Sequence, residues 1–281
     1  MSNASSRPFS STLLMPTLDE VVGMRAILPR IRRDWVDQII VVDGGSTDGT
    51  IEFAEQNGLE VWRQQCRGMR FAYREVWPMI RGDVVITFSP DGNSVPELIP
   101  RLLDQIQAGN DLVIASRYAP GARSEDDDIV TAFGNWFFTK TVRFLYGHPY
   151  TDVMVIYRAF WKDMIAALDL DEDASYTLPE RLFCTTISWE PLMSVRAAKH
   201  RLRIAEIPGD EPPRIGGVRK LQVLRWGAAY YFQFLSNWFG ARRHIPRTWV
   251  PQAATSRPMP VTPPASDEPA RVAPTAWRAA S

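Results

Sequence analysis

The sequence predicts an α/β fold built on a mostly parallel sheet. Three features carry this prediction. Short β-branched runs alternate with stretches whose apolar residues recur at helical spacing, the strand-like runs end in turns rich in Gly, Pro and Asp, and several helical stretches stop at glycine. Strand, helix and strand in this rhythm make βαβ units, whose crossovers lay successive strands parallel.

Ser11–Met15 reads as the first strand, and Asp19–Ile31 carries apolar residues at helical spacing. Gln38–Val42 is a β-branched run ended by Asp43-Gly44-Gly45. Thr50–Asn57 reads as a helix stopped by Gly58, and Leu59–Trp62 as a strand. Met69–Ile80 is a helix ended by Arg81-Gly82, followed by the strand Asp83–Phe88. Pro96–Ala108 is a helix before Gly109, and Leu112–Ala115 a further strand. Residues 1–10 are polar, lack the apolar core of a leader peptide and are expected to be disordered. The globular domain is placed at 11–222, an apolar helix at 223–240 and a disordered Pro/Ala-rich tail at 241–281.

The 281 residues, 45% of them hydrophobic, can bury a full core. Lys plus Arg and Asp plus Glu number 32 each, so no global positive charge draws the chain to nucleic acid. Two cysteines, Cys66 and Cys184, exclude a disulfide scaffold, and His148, His200 and His244 match no zinc spacing. A cytoplasmic location is expected, with peripheral contact on the cytoplasmic face of a membrane as an extension of it.

Ligands of parallel α/β sheets bind beyond the carboxyl ends of the strands, so the residues just after each strand carry the function. After the first strand come Pro16, Thr17, Leu18, Asp19 and Glu20. Alone, Thr17, Asp19 and Glu20 read as helix caps. After the second, Asp43 stands at the strand tip before Gly44-Gly45, and Thr47 or Asp48 can cap the helix near Thr50. That is either an ordinary βα turn or a carboxylate set to touch a base or ribose. After Asp83–Phe88 come Ser89, Pro90, Asp91, Gly92 and Asn93. Asp91 and Asn93 are hard oxygen donors two residues apart, suited to Mg²⁺ or Mn²⁺ or, more simply, to an Asx turn. The acidic run Glu125–Asp128 reads as a solvated loop.

Taken together and in this order, these segments resemble family 2 glycosyltransferases of the GT-A fold, most closely the dolichol-phosphate mannosyltransferase and polyprenyl-phosphate glycosyltransferase group. The resemblance spans roughly residues 12–222 and includes the Asp43–Thr50 turn, the Ser89–Asn93 loop and the Ser116-Arg117-Tyr118 segment. It continues through Asp152–Arg158, Glu206-Ile207-Pro208 and the basic loop Arg214–Leu221.

The resemblance implies a three-layer αβα domain that moves a sugar from a nucleotide-diphosphate donor to a polyprenyl phosphate, with inversion and with Mg²⁺ or Mn²⁺. Pro16, Leu18, Glu20, Val42 and Asp43 would hold the nucleoside, with Ser89 and Pro90 beside the donor. Asp91 matches the second acid of the DXD metal motif, and Asn93 an amide ligand of the same ion. Arg117 would lie near the phosphates, and Arg214 and Lys220 would engage the diphosphate or the acceptor phosphate. Asp91 and Arg117 are the expected catalytic groups. The chain departs from the pattern at Ser89, where the family has the first DXD acid, at Gly44, at Cys66-Arg67-Gly68 and at Val155–Tyr157. The alternatives are a soluble hydroxyl acceptor, for which Glu180 is the best candidate base, and a nucleotide-sugar-binding protein without turnover.

The stretch 221–239 is the most apolar in the chain, and no charge occurs from Trp226 to Phe239. Gln222, Arg225, Gln233, Ser236 and Asn237 share one helical stripe, and Tyr230, Tyr231, Phe234, Leu235 and Trp238 belong to a wider apolar face. That pattern predicts a helix lying on a membrane interface, in a homodimer, or on its own domain.

Overall fold

The structure is a computed structural model that describes residues 7–127, 129–216, 223–240 and 245. In chain order the elements are β1 (Ser11–Thr17), α1 (Val21–Ile27), β2 (Gln38–Asp43), α2 (Thr50–Gln56), β3 (Glu60–Arg63), α3 (Met69–Val76), β4 (Val84–Thr87) and α4 (Ile99–Gln107). There follow β5 (Leu112–Ser116), α5 (Ile129–Tyr146), β6 (Arg158–Trp161), α6 (Met164–Ala167), α7 (Ala174–Phe183), α8 (Glu190–Lys199), β7 (Ile204–Pro208) and α9 (Val223–Phe239).

The first two predicted helices that contain a proline break where it stands. Pro29 turns the end of the first into a 3₁₀ turn at Leu28–Arg30, and Pro78 does the same to α3 at Trp77–Met79. A proline has no N–H for the α-helical ladder and clashes with the preceding turn.

The strands form one sheet in the order β3-β2-β1-β4-β6-β5-β7. All run parallel except β6, which lies antiparallel between β4 and β5. The tips of β1, β2, β4 and β5 therefore open on the same edge. Val84, Val85, Ile86 and Thr87 are each fully buried although their side chains alternate across β4. Both faces of the sheet must then be covered, which gives the expected αβα layering. Pro16 is tolerated inside β1 because the pairing with β4 ends at Leu14, before the proline.

β6 and β7 are short, and β6 opens on a charged residue. Arg158 is fully buried, yet it is not an ion-pair partner first. Its guanidinium donates to the carbonyls of Val155 and Glu190 and to Ser194 Oγ, pinning the turn before β6 to α8. Burial pulls its pKa below the ordinary arginine value.

At the ends of the fold one expectation is corrected and one open alternative is decided. Residues 7–10 are ordered. Phe9 is buried with its ring edge-on to Trp161 at 5.3 Å, Arg7 donates to Trp35 O at 2.9 Å, and Ser10 bonds Asp83. The C-terminal helix forms as α9, and of its three alternatives the structure shows packing on its own domain. Its aromatic side is the packed one, for Phe234 and Ala229 are fully buried and Tyr230 nearly so, against α5, α7 and α8. Gln233, placed on the polar stripe, is also buried, because its amide donates to Ser175 O at 2.9 Å. Asn237 accepts from Arg196, and Lys199 closes the end of α9 by donating to the carbonyls of Asn237 and Gly240. Tertiary partners thus took up polar groups of the stripe that the sequence pattern had set apart from the apolar face. Residues 1–6, most of the 241–281 tail and Lys220 lie outside the described residues.

Candidate active site

At the β1 and β2 tips, Thr17 pairs in register with Asp43 and Pro16 with Val42. Asp43 is fully buried and its carboxylate is saturated. Oδ1 accepts from the N–H groups of Gly45 and Ser46 at 2.8 and 2.7 Å, and Oδ2 from the Thr17 and Ser46 hydroxyls. Asp43 is therefore the brace of the turn, and the turn in turn presents the edge of the cleft.

The 17–21 and 43–50 segments are laced across the cleft. Asp19 N–H donates to Ser46 Oγ, Thr47 N–H to Asp19 Oδ1, and Glu20 N–H to Thr50 Oγ1. Neither Thr17 nor Glu20 caps α1. That task falls to Asp48, whose Oδ2 accepts from Val21 N–H at 3.0 Å while Oδ1 accepts from Thr50 N–H at the start of α2. Burial would raise the Asp48 carboxyl, but the Thr50 hydroxyl and the two N–H donors outweigh it and hold it below its ordinary value.

After β4, Asp91 is almost wholly buried, while Ser89 and Asn93 are half-buried. Asp91 Oδ1 accepts from Asn93 N–H at 3.2 Å. Its Oδ2 meets Arg214 at 2.7 Å, and the other end of that guanidinium lies 3.3 Å from Glu20 Oε1. Ile215 N–H donates to Asp91 O at 2.9 Å. The loop 212–216 thus lies across the Asp91 loop and the start of α1. Gly92, at φ +100°, is needed twice over: the conformation suits glycine, and a Cβ there would stand 2.4 Å from Ile215 Cγ1.

Gly23 on α1 lies against the same loop, where a Cβ would come within 2.5 Å of Pro90 O and 2.8 Å of Asp91 Cα. Both neighbours are backbone and neither can swing aside. Gly23→Ala should therefore cost about 1–3 kcal/mol by overpacking, read as a lowered midpoint in denaturant unfolding.

After β5, Arg117 is enclosed by acids. Its Nε and Nη2 form a fork on Asp152 at 2.7 and 3.1 Å, and its Nη1 lies 3.3 Å from Glu211 and 3.9 Å from Asp127. Burial alone would depress the guanidinium, but Asp152, Glu211 and Asp127 together hold it above its ordinary value. Burial pushes the Glu211 carboxyl up despite Arg117 and the Ser124 hydroxyl, and pushes Glu206 up beside Thr151 and Asp152. The Glu125–Asp128 run is not simply a solvated loop, because the Asp127 side chain is 5% exposed and turned to Arg117. Asp128 lies outside the described residues.

The two clusters share one strap. Glu211 N–H donates to Arg123 O, Glu125 N–H to Glu211 O, and Arg214 N–H to Asp126 Oδ1. Residues 210–215 therefore carry one partner of Arg117 and the cation on Asp91. A cavity of about 240 Å³ opens beside Arg117, walled by Asn135, Phe138, Met154, Ser188 and Tyr230. The sequence pattern gave Asp152 no role of its own, read Asp127 as part of a solvated loop and missed Glu211, because the three stand on separate segments with no common spacing. Glu180, the candidate base, is engaged elsewhere: it is paired to the buried Arg70 at 2.9 Å and accepts from Ile187 N–H, so it ties α7 to α3.

A seven-stranded, mostly parallel sheet with one antiparallel strand, and a cleft of acidic and glycine-containing turns at its carboxyl edge, defines an enzyme of the GT-A-like glycosyltransferase class. The sequence profile of glycosyl transferase family 2 matches residues 12–168, and the chain belongs to that family. It is 29% identical over 255 residues to the undecaprenyl-phosphate mannosyltransferase of Micrococcus luteus, covering 83% of this chain and 97% of that one. It is also 29% identical to the polyprenol monophosphomannose synthase of Mycolicibacterium smegmatis, covering 80% and 89%. With glycosyltransferase AglJ of Haloferax volcanii it shares 28% identity over 75% of its own length, and spans 65% of that protein. Among solved structures, glucosyl-3-phosphoglycerate synthase of Mycobacterium tuberculosis, in complex with Mn²⁺, UDP and glucosyl-3-phosphoglycerate, superposes with a TM-score of 0.57 at 20% identity over 82% of this chain and 80% of that one. The fold is shared with that enzyme.

Proposed function

We propose that the protein transfers a sugar from a nucleotide-diphosphate donor to a polyprenyl phosphate, with inversion at the anomeric carbon and with a divalent ion. The observation that carries this reading is the position of Asp91. It is a buried carboxylate at the carboxyl edge of the sheet, and a guanidinium already rests on it 2.7 Å away. Names of relatives that act on undecaprenyl and polyprenol phosphates support the acceptor class.

The donor set fits Mg²⁺ or Mn²⁺ if the diphosphate supplies part of the shell. Asp91 offers a carboxylate, Asn93 an amide and Ser89 a hydroxyl, all hard oxygens. Among the described residues no three or more His, Cys, Asp or Glu form a metal cluster, so the protein would share the ion with its substrate. Arg214 is a stand-in cation on the same carboxylate. When bound, such an ion neutralises charge that builds on the departing diphosphate. The M. tuberculosis relative was crystallised with both Mn²⁺ and UDP.

The chain's own residues then have defined tasks. The Asp43-braced turn with Pro16, Leu18 and Val42 borders the nucleoside, and Arg214 moves its charge from Asp91 to the phosphates as donor enters. Lys220, six residues further on, would add a second cation. A phosphate acceptor is already anionic near neutral pH and needs no general base, which agrees with the engagement of Glu180 by Arg70. The deciding experiment incubates the protein with a panel of nucleotide sugars, Mn²⁺ or Mg²⁺ and a polyprenyl phosphate. A glycosyl-phospholipid is expected. Donor binding with no product on lipid-phosphate or hydroxyl acceptors would make it a nucleotide-sugar-binding protein instead.

Ser89 provides a second test of the ion. Ser89→Asp adds a carboxylate to a hard-cation site, so the Mn²⁺ concentration for half-maximal activity should fall by about tenfold. An unchanged titration places Ser89 outside the coordination shell.

A further inference from the structure

We propose that Gln64 reads the base of the sugar nucleotide. Its amide oxygen selects bases whose Watson–Crick edge carries a ring N–H, uracil and guanine, over adenine and cytosine. This role rests on the nucleotide-diphosphate reading of the cleft and is independent of the acceptor.

β1, β2 and β3 are in register at Thr17, Asp43 and Arg63. The ladder runs one residue further, because Gly44 N–H donates to Thr17 O and Gln64 N–H to Asp43 O, both at 2.9 Å. Leu18, Gly44 and Gln64 therefore form the next row, just beyond the carboxyl ends of three adjacent parallel strands, where such sheets bind ligands. Residues of one row share a face of the sheet. The glycine in the middle lets its neighbours converge. A Cβ at Gly44 would stand 3.6 Å from Leu18 Cβ and 3.6 Å from Gln64 Oε1. An apolar side chain and an amide oxygen thus flank one spot, the pairing that holds a flat base by its face and reads it at its edge.

Asp43, the carboxylate next to this row, has no capacity left for a base. Its two oxygens already accept from Gly45 N–H, Ser46 N–H and the Thr17 and Ser46 hydroxyls, which fills the roughly four sites of a carboxylate. Gln64 is half-buried and tied at one end only. Its Nε2 donates to Cys66 O at 2.6 Å. A carbonyl can only accept, so this bond fixes the amide, and Oε1 accepts no hydrogen bond among the described residues. The segment around it is braced from α3, where Glu75 accepts from Trp62 Nε1, Gln65 N–H and Cys66 N–H at 3.1, 2.7 and 2.8 Å. Oε1 is therefore a preorganised acceptor at the edge of the cleft. It pairs with N3–H of uracil or N1–H of guanine. Cytosine N3 and adenine N1 present lone pairs at that place, and two acceptors face to face leave both unpaired.

The experiment measures binding of UDP, GDP, CDP and ADP to the full chain with Mn²⁺ by calorimetry. The wild type should bind UDP or GDP at least about tenfold more tightly than CDP and ADP. Gln64→Leu keeps the bulk and removes the amide. It should weaken the preferred nucleotide about tenfold and leave CDP and ADP unchanged, so that discrimination collapses. Gly44→Ala tests the same oxygen without touching Gln64. Gly44 does not have a positive φ, and the added methyl meets Thr17 O and Gln64 Oε1 at ordinary contact distances, so the fold accepts it while Oε1 is covered. The same loss of discrimination is expected. In transfer assays Gln64→Leu should raise KM for the sugar nucleotide and leave kcat unchanged. Equal weakening of all four nucleotides by Gln64→Leu would make the residue a brace of its loop and overturn the proposal. So would discrimination that survives in Gln64→Leu, or a wild type that binds CDP or ADP as tightly as UDP and GDP. A wild type that binds none of the four removes the nucleotide reading of the cleft and this role with it. The expected discrimination in a protein that transfers sugar to no acceptor supports Gln64 while rejecting the transferase reading.

Discussion

Asp91→Ala is expected to abolish sugar transfer and leave the protein folded. Asp91 is the one carboxylate in the Ser89–Asn93 loop, and a divalent ion would have no other charged protein ligand there. Loss of a main electrostatic stabiliser of the leaving group should lower the rate on the order of 10²-fold or more. The fold should survive because the loop has other anchors. Arg214 keeps Glu20, and the Ile215 N–H still bonds the main-chain oxygen of residue 91. The check is transfer rate beside a melting curve and a Mn²⁺ titration followed by electron paramagnetic resonance. Near-wild-type turnover by a folded variant would remove Asp91 from the metal site.

The second large effect is expected at Arg117, and it should appear first in stability. Arg117→Ala leaves Asp152, Glu211 and Asp127 facing one another without their shared cation. Breaking a buried ion pair in this way costs about 3–5 kcal/mol, and the 13% exposure of the Arg117 side chain places the loss toward the lower end. Arg117→Lys should recover part of it, because an ammonium cannot reproduce the fork on Asp152. The pH dependence has a definite sign. Burial raises the folded-state pKa of Glu211 and Glu206 from the ordinary glutamate value, so their ionisation costs stability as pH rises through those raised values. Without Arg117 that cost grows. The stability gap between wild type and Arg117→Ala should be widest at neutral pH and shrink as pH falls and the carboxyls protonate. Denaturant unfolding at pH 5 and pH 7.5 measures it, and an equal gap at both would mean the acids are not held by Arg117. A role for Arg117 at the phosphates would show separately, as a lost rate in Arg117→Lys under conditions where that variant is fully folded.

These two residues also mark how far the sequence pattern reaches. The strands β1, β2, β4 and β5 and the turns after them were legible because strand propensity, helix stops and glycine turns act over a few neighbouring residues. Those turns contain Pro16, Asp43 and Asp91, and parallel pairing alone brings them to one edge. The internal roles were less legible. Asp43 looked like a ligand contact and proves to be saturated by its own turn, while Asp48 caps α1 from a different segment.

The sequence by itself determined an α/β fold with its acids at the strand tips, because local spacing specifies both the elements and their ends, while the transferase activity entered through the resemblance of its motifs to family 2 glycosyltransferases. Only the tertiary structure decided that Arg214 rests on Asp91, that Arg117 is enclosed by Asp152, Glu211 and Asp127, and that β6 turns antiparallel around the buried Arg158. It also decided which side of two apolar helices meets water. On α9 the sequence pattern left open whether Tyr230 and Phe234 meet a membrane, a second copy or their own domain, and on α5 it carried no expectation. The fold buried the α9 side and exposed the Phe133, Trp136 and Phe144 side of α5. A polar group such as Gln233 or Asn135 goes inside when a distant segment offers a partner or a fitting surface, and no periodicity along one helix records what that distant segment will be.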